Sequence, residues 1–261
     1  MLQFLRAIKP MPLTTGFIVF HALYFFAQVF FPVLPWTGFL QSDISTLIAF
    51  GGIFRGMFDF PILAESALYR FLTAGFVHGD FIHFILNMLC LYMAGGIVEV
   101  FFGRLWYVVV YFLAILAGAS FSLIFNAPET VSVGASGGIM GLLAANIMMA
   151  KFRLYDPKGH LRNAIFRENL SILIPSLLPF IGELTSGHAV DLSAHFGGAI
   201  GGSLVAGFIF FVFWPKVDLR PKGKWFSGII ALGLILFAAQ GIHILSSQYS
   251  VIKKDFLQHN N

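Results

Sequence analysis

Long apolar runs separated by short polar segments dominate this chain. A helix that crosses the hydrocarbon core of a bilayer needs about 20 apolar residues, and the pattern predicts seven such spans. They cover residues 13–33, 82–102, 105–125, 136–150, 168–184, 192–214 and 226–247. Segment 40–62 is also apolar, but it contains Asp43, Arg55, Asp59 and a Gly-Gly pair, so we interpret it as a loop with short amphipathic pieces. The pattern therefore predicts an all-α, polytopic membrane helix bundle.

Composition agrees with the membrane interpretation. Hydrophobic residues make up 58% of the 261 residues and charged residues 11%, whereas soluble domains have about 25% charged residues. The net charge of +4 does not indicate nucleic-acid binding, because the basic residues lie between apolar stretches. The single Cys90 excludes an intrachain disulfide and is expected to be a buried, inert thiol.

The basic residues are distributed unevenly over the predicted loops. With the N-terminus in the cytoplasm, twelve of the sixteen lysines and arginines lie on inner segments, which include loops 151–167 and 216–225. This bias follows the positive-inside rule and predicts that orientation. The apolar run near the start is longer than that of a signal peptide and no small-residue cleavage site follows it, so we interpret it as the first span. We expect a multi-pass protein of a bacterial inner membrane.

The fourth predicted span is too short to cross the membrane. Its 15 residues reach roughly 22 Å, against a hydrocarbon core of about 30 Å. Lys151 and Arg153 hold the inner end at the surface, so Ser136 at the other end should lie below the outer surface. Residues 126–135 must then descend as irregular chain, which is tolerated only when it is buried in protein or lines a wet cavity. We expect Ser136 at the floor of a water-filled pocket.

A second polar side chain, His195, lies about one turn into the sixth predicted span. Ionisable groups inside spans are expensive and indicate function by default. Glycines at four-residue spacing follow both side chains: Gly137, Gly138 and Gly141 after the serine, and Gly197, Gly198, Gly201 and Gly202 after the histidine. Such faces let helices approach closely, which predicts a hydroxyl–imidazole pair at about 2.6–3.2 Å. Taken separately, the glycines indicate helix packing and the histidine an interhelical partner; together they favour catalysis.

The second predicted span adds possible hydrogen-bond donors. His83 and Asn87 are four residues apart and share one helix face, and His78 lies near the adjoining loop. An amide, an imidazole N–H and a free backbone N–H at a helix start are suitable donors for a developing oxyanion. The alternative is a structural hydrogen bond between helices.

Three short motifs now stand in order on the second, fourth and sixth spans: "HFILN" (83–87), "GASG" (134–137) and "AHFGG" (194–198). Together they resemble the rhomboid family of intramembrane serine proteases. "YRFLTAGFVH" (69–78) and "GGIVEVFFG" (95–103) are similar to further family segments. The resemblance covers roughly residues 10–215. It implies a six-helix catalytic core over residues 1–215, and residues 216–261 would hold a cytoplasmic loop, a seventh span and a short outer tail.

The resemblance also implies roles for individual residues. Ser136 would be the nucleophile and His195 the general base of a dyad, while His83, Asn87 and the backbone N–H of Ser136 would stabilise the oxyanion. Supporting positions would be Gly134, Met140, which stands where many relatives have an aromatic residue, and Gly198. Arg70 and Glu99 would be structural, and Ser193 would supply a polar group before the histidine motif.

The prolines of the fifth span and Asp191, just before the sixth, are also expected to have specific roles. The fifth span, with Pro175 and Pro179, resembles a lateral gate for a substrate helix; the alternative is an ordinary kink. Asp191 is expected to favour the N-terminus of the sixth span rather than the imidazole.

The leading hypothesis is an endopeptidase that cleaves single-span membrane proteins near their outer ends and uses neither cofactor nor metal. Its partners would be these substrates and membrane lipid. A non-catalytic relative that binds membrane helices for quality control is the alternative, although both the serine and the histidine are present.

A transporter is disfavoured because no inverted repeat is visible. A metalloprotease is disfavoured because no His-Glu-x-x-His occurs, although His78, His83, His188 and His195 could meet at a metal.

Overall fold

A computed structural model describes residues 11–34, 41–60, 67–152, 156–178 and 190–210. Within these ranges the chain forms eight α-helices and one short 3₁₀ helix, and no β-strand. They are α1 (Pro12–Phe30), α2 (Ile44–Ala49), the 3₁₀ helix (Arg55–Asp59), α3 (Ala67–Thr73), α4 (Phe81–Phe101), α5 (Arg104–Phe125), α6 (Ser136–Phe152), α7 (His160–Ser176) and α8 (Leu192–Phe208). The all-α prediction is confirmed for this part of the chain, and residues 41–60 form a loop with short helical pieces, as predicted.

Three of these helices, α1, α4 and α5, are long and apolar enough to cross a membrane. Helices α6 and α8 are apolar but have 17 residues each, or about 26 Å. The short fourth span was therefore correctly predicted, although α6 ends two residues later, at Phe152. The predicted seventh span at 226–247 and the boundary between residues 215 and 216 lie outside the described residues.

Helix α7 begins well before the predicted fifth span. It starts at His160 rather than at residue 168, because hydropathy marks where a helix is apolar and not where it begins. Leu161, Arg162 and their neighbours are good helix formers, and the Asp156 carboxylate accepts the N–H of Arg162 at 3.0 Å. The backbone N–H donors, led by that of Arg162, hold the pKa of Asp156 below its usual value, as expected for an acid at a helix start.

Glycine faces join α6 to α8, as predicted. A Cβ on Gly198 would overlap the carbonyl of Gly137, and a Cβ on Gly202 would overlap the backbone of Gly141. Moving four residues along α8, from Gly198 to Gly202, also moves the contact four residues along α6, from Gly137 to Gly141. Helices α6 and α8 are therefore parallel, and their N-termini lie at the same end. Helix α5 runs antiparallel to both, and a Cβ on its Gly118 would lie 2.8 Å from the carbonyl oxygen of Ala194. Only small residues permit this separation.

Polar contacts join the helices at the other end of the bundle. Glu99, near the end of α4, accepts the N–H groups of Leu13 and Thr14 at 3.0 and 2.8 Å and the Thr14 hydroxyl at 2.9 Å. It thereby caps the start of α1 and also pairs with Arg104 at 3.3 Å. These contacts give Glu99 the structural role that the resemblance implied.

The segment between α5 and α6 is irregular, and its backbone is paired with the outer loop. Ile53 and Ser132 exchange two backbone hydrogen bonds of 3.1 and 2.7 Å, and the N–H of Gly134 donates to the carbonyl of Ala74 at 2.9 Å. Irregular chain at membrane depth must find its partners within the protein, and this segment does so.

Arg70 holds the outer loop together from inside. Its side chain is fully buried and donates to the carbonyls of Ile48 and Gly52 at 2.7 and 2.8 Å. Burial lowers the pKa of Arg70 to about 10, so the guanidinium stays charged at neutral pH. The contacts are structural, as the resemblance implied.

Candidate active site

Ser136 is the first residue of α6 and is half-buried. The turn before it depends on Gly134, which has a φ of +118°, a conformation that L-residues with a Cβ rarely adopt. A Cβ at Gly134 would also lie 2.8 Å from Nε2 of His83 and 3.7 Å from Oγ of Ser136. The absence of a side chain therefore leaves room for the imidazole and the hydroxyl close to this residue.

His83 is the third residue of α4 and is held by the loop that precedes it. Asp80 caps the helix by accepting the His83 backbone N–H at 2.8 Å. The Gly79 N–H donates to Nδ1 of the His83 ring at 3.4 Å. A nitrogen that accepts cannot carry the proton of a neutral imidazole, so the proton lies on Nε2, the nitrogen that faces Gly134. His83 thus presents an N–H donor next to Ser136.

Asn87 is buried on α4, one turn after His83. Its amide N–H donates to the His83 carbonyl at 2.8 Å, which is a bond within the helix. Its place in an oxyanion site stays a prediction.

His195 is the fourth residue of α8 and is buried, with 8% of its surface exposed. Its Nδ1 bonds to the carbonyl oxygen of Ser176, at the end of α7, at 2.6 Å. A carbonyl oxygen can only accept, so Nδ1 is the donor, and Nε2 of the neutral ring has a free lone pair. No hydrogen bond joins the Ser136 hydroxyl to His195 among the described residues, so the dyad stays a prediction.

The first turns of three parallel helices converge here. His83 lies in the first turn of α4, Ser136 begins α6, and His195 lies in the first turn of α8. The α4 start is adjacent to Ser136 across Gly134, and Gly137 lies against Ala194, where a Cβ on the glycine would be 3.5 Å from the alanine carbonyl oxygen. The predicted residues from three distant parts of the sequence are therefore brought to one end of the bundle.

The other two supporting positions, Met140 and Gly198, lie further along their helices than Ser136 and His195. Met140 is buried in the core one turn after Ser136, with 3% of its surface exposed, and its contact with the imidazole stays a prediction. Gly198 is the close-packing residue between α6 and α8 described above.

A polar network at the start of α8 was not predicted as a unit. Asp191 accepts the Ala194 N–H at 2.9 Å, which confirms its expected preference for the helix N-terminus. The Asn126 amide donates to the same carboxylate at 2.9 Å, and the Ser193 hydroxyl donates to the Asn126 amide oxygen at 2.6 Å. Asp191 and Ser193 were each singled out from the sequence, but Asn126, which follows the apolar run of α5 and joins them, was not.

A small cavity lies near the start of α6, and Ser136 is not among the residues that line it, so the expected pocket with Ser136 at its floor stays a prediction. The volume of the cavity is about 20 Å³, which is enough for one water molecule. The backbones of Gly134, Gly137 and Ala194 contribute to its wall, and the rest comes from Phe71, Ala74, Gly75, Ile115, Gly118, Ala119, Ser132 and Val133. In the described part of the chain, no three His, Cys, Asp or Glu side chains are grouped closely enough to hold a metal; His188 lies outside it.

Comparison with known proteins decides the family. The rhomboid domain profile matches residues 65–213, more than half of the chain and all three of the converging helix starts. The chain belongs to the rhomboid family. It is 30% identical over 213 residues to the rhomboid protease GluP of Bacillus subtilis (strain 168), covering 81% of this chain and 38% of GluP. It is 28% identical to the rhomboid protease AarA of Providencia stuartii, covering 74% of this chain and 71% of AarA.

As a rhomboid with several long apolar helices, the protein is a multi-pass membrane protein. Rhomboid members differ in activity: the inactive RHOMBOID-like protein 8 of Arabidopsis thaliana is 30% identical over 193 residues, covering 72% of this chain and 50% of that protein. Catalysis in this chain must therefore be argued from its own residues.

Proposed function

We propose that this rhomboid is an intramembrane serine endopeptidase that cleaves single-span transmembrane proteins near their extracytoplasmic ends. Ser136 is the nucleophile and His195 the general base. The observation that carries the proposal is the His195 tautomer: with Nδ1–H bonded to a carbonyl, Nε2 has the free lone pair that a base needs.

The chemistry follows from these groups. Nε2 of His195 takes the proton of the Ser136 hydroxyl as Oγ attacks the carbonyl carbon of the scissile peptide. The carbonyl oxygen becomes an oxyanion, and His195 then passes the proton to the leaving amine. Water attacks the resulting acyl-enzyme, again with His195 as base, and releases the carboxyl product. A cavity lined by Gly134 and Gly137, which stand on either side of Ser136 in the sequence, has room for one water molecule.

In the proposed reaction, the oxyanion is stabilised by N–H donors and by a helix N-terminus. His83 supplies Nε2–H from one side, and the first-turn N–H of Ser136 supplies a second donor. The N-terminus of α6 adds a partial positive charge of about half a unit, whereas at the starts of α4 and α8 the carboxylates of Asp80 and Asp191 offset this charge. Asn87 completes the set with the second N–H of its amide, since the His83 carbonyl takes only one of the two.

Substrates and location follow from the same architecture. A helical substrate shields its own amides, so the segment that is cut must unwind, and helix-weak residues near the cleavage point are expected. The distribution of basic residues favours a cytoplasmic N-terminus, and the membrane that we expect is a bacterial inner membrane. Residues 1–215 would form the catalytic core, and lipid would surround its exposed apolar faces.

The second candidate is a non-catalytic rhomboid that binds membrane helices. It is favoured by one observation, the lack of a Ser136–His195 hydrogen bond in the described part of the chain. It predicts binding of a transmembrane helix without covalent reactivity at Ser136.

Labelling with a fluorophosphonate separates the two candidates, because only an activated serine reacts. The purified protein should label at Ser136 and cleave a model transmembrane substrate, whereas Ser136→Ala and His195→Ala should lose both activities. Ser171→Ala, which changes an exposed serine on α7, is the control and should behave like the parent. Circular dichroism and thermal unfolding check that all variants fold. Full cleavage by Ser136→Ala would refute the proposal.

A further inference from the structure

The last turn of α7 includes a backbone carbonyl, that of Ser176, which accepts no N–H of its own helix among the described residues. The final four carbonyls of a helix lack partners within it, and here two of them accept from the following residues: Leu177 N–H donates to Ile174 at 3.1 Å and Leu178 N–H to Pro175 at 3.0 Å. The next carbonyl is that of Ser176. The N–H that would continue this pattern belongs to residue 179, a proline, which has none.

This carbonyl contacts His195 instead. The 2.6 Å bond to Nδ1 is short for N–H···O, and the histidine is buried, so water is a poor replacement. The acid one turn earlier, Asp191, accepts the Ala194 N–H and the Asn126 amide at its Oδ1, and among the described residues no hydrogen bond joins its carboxylate to the imidazole. The group that orients the imidazole is therefore a neutral backbone carbonyl rather than a carboxylate.

We propose that the Ser176 carbonyl is a positioning group for His195. It holds the imidazole as the Nδ1–H tautomer with Nε2 free, the task that a carboxylate performs in a three-residue serine protease site. The proposal rests on the proposed function, because only a base needs this tautomer.

The positioning group comes from a third helix. Ser136 is on α6 and His195 on α8, whereas the carbonyl belongs to α7, which is tied to α6 by a 2.9 Å bond from the Asn146 amide to Asn169. A displacement of the last turn of α7 by about 1 Å would take the donor–acceptor distance beyond that of a hydrogen bond. The base is thus competent only when the end of α7 is in place.

Backbone substitution tests the carbonyl directly. Replacing Leu177 by the corresponding α-hydroxy acid turns the Ser176 carbonyl into an ester carbonyl, a weaker acceptor, and removes the N–H that donates to Ile174. The same replacement at Leu178 is the matched control, since it removes the N–H that donates to Pro175 and leaves the Ser176 carbonyl an amide.

Two measurements are made on each protein: the ¹⁵N chemical shifts of the His195 ring, which identify the protonated nitrogen, and the rate of fluorophosphonate labelling. We expect the parent and the Leu178 ester to have the proton on Nδ1 and to label at similar rates. The Leu177 ester should have mixed tautomers and label about tenfold more slowly, the effect of one neutral hydrogen bond.

Three other results would each contradict one of the two proposals. An unchanged tautomer in the Leu177 ester would overturn the positioning role. An equal loss of labelling in both esters would also overturn it, because it would indicate damage to the helix end. A parent protein that does not label, but whose tautomer shifts in the Leu177 ester, would overturn the proposed protease function and retain the carbonyl as the group that sets the tautomer.

Discussion

Gly134 offers the sharpest test of how the site is held together. A Cβ added there would lie 2.8 Å from Nε2 of His83 and 3.7 Å from Oγ of Ser136. An ordinary carbon contact begins at 3.4 Å, so Gly134→Ala requires the imidazole to move by about 0.6 Å, the difference between these two distances. Catalytic donors must lie 2.7–3.1 Å from the oxyanion, and this movement takes His83 outside that range.

The expected effect has two separable parts. Loss of one oxyanion donor costs about 10²–10³ in rate, and because the displaced donor is retained, we expect cleavage and labelling to fall by about 10–100-fold. The positive φ of +118° adds backbone strain, which should lower the free energy of unfolding by about 1–3 kcal/mol. Rates of cleavage in proteoliposomes and thermal unfolding in detergent measure the two parts independently.

Gly103→Ala is the matched control. Gly103 also has a positive φ, +92° with ψ 164°, but an added Cβ would meet nothing within 4 Å. It should lose comparable stability and keep its activity. If Gly134→Ala cleaves at the parental rate, or if both variants lose activity equally, the contact between Gly134 and His83 does not position the imidazole.

Two further predictions concern the frame of the bundle. Gly198→Ala should lower the free energy of unfolding by about 1–3 kcal/mol through overpacking and reduce labelling of the folded protein, because its Cβ overlaps the α6 backbone. Gly207→Ala on the same helix, 3.4 Å from a flexible methionine methyl, should have little effect; equal melting temperatures would contradict the close-packing argument. Glu99→Gln should cost about 1–3 kcal/mol in thermal unfolding without changing the labelling rate of folded protein, whereas the exposed Glu129→Gln should change neither. An unaltered melting temperature for Glu99→Gln would exclude its capping role.

Local patterns were enough to predict the glycine-mediated packing and the helix starts that contain Ser136 and His195. The four-residue spacing of glycines is set by helix geometry, so Gly137, Gly141, Gly198 and Gly202 had to face a close neighbour, and the glycines after the serine and histidine identified the pair of helices. The short fourth span could also be predicted, because the number of its apolar residues can be compared directly with the thickness of the hydrocarbon core.

The parts that sequence did not predict depend on backbone atoms and on contacts between distant residues. The partner of His195 is a main-chain carbonyl of Ser176, which no side-chain pattern can indicate. The bond from Asn126 to Asp191 joins residues 65 positions apart. The start of α7 was missed because its first turns are polar, and helix formation there comes from propensity and the Asp156 cap rather than from hydropathy.

The three converging helix starts are not equivalent, and their difference matches the proposed chemistry. Asp80 caps α4 and Asp191 caps α8, so each of these acids takes up a first-turn N–H and fixes the histidine beside it. Helix α6 is preceded by Ala135, whose methyl group cannot accept a hydrogen bond, and the first bond from its own backbone is made by Ile139. An aspartate before Ser136 would stabilise the helix but would place a negative charge where the oxyanion must form. Capped ends therefore hold the imidazoles, whereas Ala135 offers no side-chain acceptor, and in the proposed reaction the first N–H groups of α6 would serve the substrate.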